Sequence, residues 1–199
     1  MKNTFIKILS VALFIGSFSQ LNGSDRYFFI SVDANTNNEK IVVDLSSLAG
    51  SDVSCQILNE EGIVVYVDDF RIQRSGLKSY NLENLESGQY TFILNDIRQT
   101  LEYDVVKEDY NVAIQDSPEV TFKPTITSSN KNIADFHLLS LGKNVILKLN
   151  NSEGKEIFKQ SYEGTNTISK RFNMTNSPRG EYTLTVRVGD VIYYEYINV

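Results

Sequence analysis

Along much of the chain, apolar and polar residues alternate one for one. Val53, Cys55 and Ile57 are separated by Ser54 and Gln56, and Tyr90, Phe92 and Leu94 by Thr91 and Ile93. A period of two sends successive side chains to opposite faces. Such runs predict strands with one face on a core and one toward water. No segment carries a helical period. The pattern places strands near 27–32, 40–45, 53–58, 63–68, 77–82, 89–95 and 100–106. Polar turns separate them. In "NEEG", Asn59 to Gly62, the glycine supplies the positive φ that a tight hairpin loop needs.

The same pattern is written a second time, 92 positions on. Asn59 falls on Asn151, Gly62 on Gly154, Gly88 on Gly180 and Tyr90 on Tyr182, without a gap from Phe28 to Leu94. Val145, Leu147 and Leu149 take the places of Val53, Cys55 and Ile57. A period this long suits a duplicated small domain rather than a solenoid unit. The expected fold is all-β: two tandem immunoglobulin-like antiparallel β-sandwich domains from an internal duplication. They are expected at 25–106 and 119–199, with an acidic linker at 107–118. Gly62, Gly88, Gly154 and Gly180 are expected to turn the chain. Tyr90 and Tyr182 are expected to be buried, each hydroxyl bonding back to nearby backbone as in a tyrosine corner.

From Val53 to Val105, and again from Val145 to Val199, strands and turns are punctuated by Gly62, Leu85, Gly88 and Tyr90, then Gly154, Gly180 and Tyr182. This arrangement resembles the small immunoglobulin-like secreted domains of unknown function of the Bacteroidetes type. It is similar, less closely, to the C-terminal sorting domains of type IX secretion cargo. The motif residues are structural, so the resemblance implies a fold and no activity.

The first residues change the picture of where the protein works. Lys2 and Lys7 precede an apolar run from Ile8 to Phe18, and small or polar residues follow to Ser24. That order predicts a signal peptide over 1–24. The run is too short to span a bilayer, which takes about 20 residues. The product is expected to be secreted or periplasmic, or associated with the cell surface, with no transmembrane segment after cleavage. Cys55 is the one cysteine, which leaves no internal disulfide. The net charge of −6 argues against nucleic acid, whose binding needs phosphates neutralised by Lys and Arg.

Candidate chemistry is sparse. His137, the one histidine, falls on Leu45 in the repeat register and reads as a half-buried strand position. Cys55 falls on Leu147 and reads as a small core hydrophobe. In "DANTNNEKIVVD", Asp33, Asn35, Asn37 and Asp44 occupy positions 1, 3, 5 and 12 of a calcium loop. Asn38 stands where that loop wants glycine, and the partner segment from Thr125 to Phe136 loses most of the carboxylates. Asp68 with Asp69, and Glu108 with Asp109, read as solvated charge. No nucleophile–base set appears, so no catalytic residue, metal or cofactor is expected. In the last strand, "VIYYEYINV", Tyr194 and Tyr196 share one face and Tyr193 takes the other. Glu195 is the one charge from Val191 onward, which marks an unblunted interaction strand. The expectation is a non-enzymatic module that binds a protein at the envelope or outside the cell. The alternative is a glycan- or ligand-binding accessory domain.

Overall fold

The structure, a computed structural model, describes residues 29–32, 39–45, 48, 50–73, 76–130 and 132–199. The predicted signal peptide and the calcium candidates Asp33, Asn35 and Asn37 lie outside the described residues. The elements are strands, and every pairing between them is antiparallel.

In the first half, β1 (Phe29–Val32), β2 (Lys40–Asp44) and β5 (Leu77–Asn81) form a sheet in the order β1-β2-β5. The facing sheet is built from β3 (Asp52–Asn59), β4 (Val64–Arg71), β6 (Gly88–Asn95), β7 (Gln99–Glu108) and β8 (Asn111–Ile114). Its order is β4-β3-β6-β7-β8, and β9 (Glu119–Phe122) also pairs with β7. The second half repeats the plan. β10 (Thr125–Asn130), β11 (Ile133–Leu139) and β14 (Thr167–Asn173) form one sheet. β12 (Val145–Asn150), β13 (Glu156–Tyr162), β15 (Glu181–Val188) and β16 (Val191–Asn198) form the other, in the order β13-β12-β15-β16.

Each half is a sandwich with its own core, because each sheet turns its apolar alternation inward. The first core joins Ile41, Val43 and Tyr80 of one sheet to Cys55, Ile57, Phe92 and Leu94 of the other. Tyr80 meets Phe92 edge-on at 5.3 Å. The second core joins Ala134, Phe136 and Phe172 to Leu147, Leu149, Leu184 and Val186.

The larger sheets match in detail at the 92-residue shift. Cys55 lies opposite Leu94 and Asp68, and Leu147 lies opposite Val186 and Gln160. The ladder slips between Ile57 and Leu58, and again between Leu149 and Asn150. The hairpin loops repeat too. Asn59 Oδ1 accepts the N–H groups of Glu61 and Ile63, and Asn151 Oδ1 accepts those of Glu153 and Lys155. Gly62 and Gly154 follow at φ 76° and 79°, a left-handed conformation that costs glycine nothing.

Three expectations need correction. First, 107–118 is not a linker. Lys107 and Glu108 end β7, and residues 111–114 form β8 against it. β9, expected to open the second domain, pairs with β7 instead. The connection between the two sandwiches is Lys123 and Pro124 alone. Second, the repeat register is not ungapped. Ile41 lies opposite Tyr80, whereas Phe172, the counterpart of Tyr80, lies opposite Ala134. In this strand the shift is therefore 93, and buried Leu45 answers to buried Leu138. A slip of one residue moves a side chain to the other face. His137 is thus exposed rather than half-buried, with Nδ1 3.1 Å from Ser169 Oγ. Third, Gly88 opens β6 without a positive φ, so the bend just before it, at Ser87, does not draw on a conformation special to glycine. Its counterpart Gly180 does lie at φ 150°.

Candidate functional site

The two tyrosines singled out in the repeat are structural. Tyr90 donates its hydroxyl proton to the Glu86 carbonyl at 2.8 Å, and Tyr182 donates to the Pro178 carbonyl at 2.7 Å. Each bond ties the start of a central strand to the loop before it. A buried bond of this type is worth about 1 kcal/mol.

Cys55 lies in the first core beside Tyr80. Burial pushes its thiol up to about 12, so little thiolate forms near neutrality. Burial also raises the Tyr80 phenol strongly. Asp68 is not simply solvated: it pairs with Lys78 at 2.6 Å, and the same ammonium sits 3.4 Å from the centre of the Phe70 ring. Asp44, at the end of the calcium candidate, lies in β2 opposite Phe29 and Leu77. Among the described residues, no group of three or more His, Cys, Asp or Glu side chains is placed to hold a metal ion.

What the fold does concentrate is apolar surface at sheet edges. β16 ends its sheet, with β15 on one side and no strand on the other among the described residues. Tyr194 and Tyr196 stand outward, 59% and 61% exposed. Tyr193 packs against the core. The equivalent strand of the first half, β7, is placed quite differently. β8 covers Val105 to Glu108, β9 covers Gln99 to Glu102, and Val112 of β8 is buried in the core. In the first half these strands protect the edge.

A second edge escaped the sequence reading. β4 ends the first large sheet, and Ile63, Val64, Val65, Tyr66 and Val67 are each between 42% and 56% exposed. Five consecutive apolar residues read as a buried strand. Only the strand order reveals that, among the described residues, they lie at an open edge.

No family model matches the chain, and no curated protein does. Among solved structures, one similar chain is a "Biofilm associated protein - BSP domain", 16% identical, with a TM-score of 0.29. The match covers 81% of this chain and 27% of that one. A likeness at this level carries no argument about function. No helix among the described residues is long and apolar enough to cross a membrane.

Proposed function

We propose that this chain is a non-enzymatic exported module that binds another protein at the envelope or outside the cell. The observation that supports this reading is β16. It is an edge strand with two exposed tyrosines, whereas its counterpart β7 carries two covering strands. An open edge offers unpaired backbone N–H and C=O groups to an incoming strand, and exposed rings add contact area. The signal-like residues 1–24 support the exported setting.

The test is the pair of changes Tyr194→Lys and Tyr196→Lys. Both side chains point to solvent, so the sandwich should melt as before. Partner capture from the native envelope, and any self-association seen by light scattering, should fall together. A folded variant that matches the parent in both measurements would place the binding surface elsewhere. The second reading rests on the same two rings, which lie on one face two residues apart and fit a sugar platform. A glycan array probed with the parent and the double variant separates the two: signal lost in the variant would favour the glycan.

A further inference from the structure

The β4 edge is a second candidate docking site, on a different sheet from β16. The repeat itself isolates the feature. At the positions of Ile63, Val64, Val65, Tyr66 and Val67, the second half has Lys155, Glu156, Ile157, Phe158 and Lys159. The ladder to the neighbouring strand is the same, as is its slip, and so is the loop that precedes it. The scaffold therefore accepts three charges in this short stretch. In this stretch β13 is blunted in the usual way of natural edges, and the Val64 to Val67 part of β4 is not. Folding does not demand an uncharged strand here. Exposure of both faces at Ile63 to Val67, beside an open hydrogen-bonding edge, is what a docking strand needs.

Charge selects the occupant. The apolar strip is acidic at both ends. Glu60 and Glu61 are exposed in the hairpin loop before it, and exposed Asp69 follows it, next to Asp68, which is already paired with Lys78. A second copy paired antiparallel about the middle of the strip would set Glu60 and Glu61 of one chain near Asp68 and Asp69 of the other. Like charges across a sheet destabilise the pairing. The complementary occupant has the opposite ends. We propose that β4 docks an extended segment of another protein, apolar and β-branched in the middle and carrying lysine or arginine at each end. Such a segment would extend the larger sheet by one strand, with its basic ends beside Glu60 and Glu61 at one end and Asp69 at the other.

The experiment pans a displayed library of random nonapeptides on the full chain, with counter-selection on a variant that copies the second half, Val64→Glu with Val67→Lys. Thermal melting checks that this variant is folded. Enriched peptides should combine Lys or Arg ends with an apolar alternating middle. A representative peptide, read by fluorescence anisotropy, should bind the folded variant about tenfold more weakly or worse. It should bind Tyr194→Lys/Tyr196→Lys as it binds the parent, which separates this site from the β16 reading. Equal binding to the β4 variant would overturn the site. Enrichment of acidic or charge-free peptides, or no enrichment at all, would overturn the assigned chemistry. So would a dimer of the parent in sedimentation that the β4 variant abolishes, since the occupant would then be a second copy.

Discussion

Glu195 lies opposite Leu184, whose side chain is fully buried, so its carboxyl group stands on the core side of the second sandwich. The corresponding place in β7 is filled by Tyr103, opposite Phe92. Desolvation raises the Glu195 pKa above its ordinary value. The sign follows directly. A carboxyl whose folded pKa is raised favours the folded state when protonated, and that contribution fades as pH rises through the folded pKa. Glu195→Gln keeps the neutral form at every pH. The variant should therefore be the more stable at pH 7, and its advantage should shrink as acid protonates the parent. Urea titrations across that range measure it; a variant less stable than the parent at pH 7 would show the carboxylate to be engaged favourably. An inward charge at an edge strand is also a recognised guard against unwanted pairing. The same change should then make β16 stickier, which light scattering can follow alongside.

At the scale of elements, two strands that add to the first core hide from pattern reading. β8 and β9 have four residues each and sit among acidic and turn residues. Neither is long enough to establish a period. Yet Val112 is buried, and Ile114 and Val120 pack against the first core. Full burial of one such side chain is worth roughly 1.5–3 kcal/mol. A fragment of residues 25–110 loses all three side chains and bares β7, whereas one of residues 25–124 keeps them. The shorter fragment should melt at least about 10 °C lower, since 1 kcal/mol shifts a domain of this size by about 4–8 °C. Equal melting by circular dichroism would mean that β8 and β9 only cover the edge. The longer strands were legible because alternation is local: Val53 to Ile57 and Tyr90 to Leu94 announce both strand and inward face. The β4 edge was not, because nothing local in Ile63 to Val67 says which neighbours the strand will have. His137 failed for a related reason, since an ungapped register cannot detect a single-residue slip inside one strand.

The whole molecule turns on a junction much tighter than an acidic linker would give. Lys123 donates its backbone N–H to the Arg98 carbonyl at 2.7 Å and its ammonium to the Asp96 carbonyl at 2.6 Å, and Pro124 beside it is buried. From the second half, Lys143 reaches across to Glu119 at 2.8 Å and to the Thr121 hydroxyl at 2.9 Å. Both partners lie on β9, so Lys143 ties the second sandwich to a strand of the first. The hydrogen bond from Lys143, with its positive charge, lowers the Glu119 pKa, so the contact persists at neutral pH and is lost as pH falls through that lowered value. An exposed pair of this kind is worth only about 0–1 kcal/mol. Its effect should therefore appear in orientation rather than in melting. Residual dipolar couplings from the two halves should fit a single alignment in the parent at pH 7. Lys143→Met should leave both melting transitions within about 0.5 kcal/mol of the parent while separating the two alignments. Two alignments in the parent at pH 7 would show that Lys143 holds nothing in place. A single alignment would have a consequence for binding. It would keep β4 of one sandwich and β16 of the other at a constant separation, and a partner that spans both would gain affinity from the linkage without any new contact. In Lys143→Met, a partner bridging both edges should bind more weakly, while the isolated peptide that docks on β4 should bind unchanged.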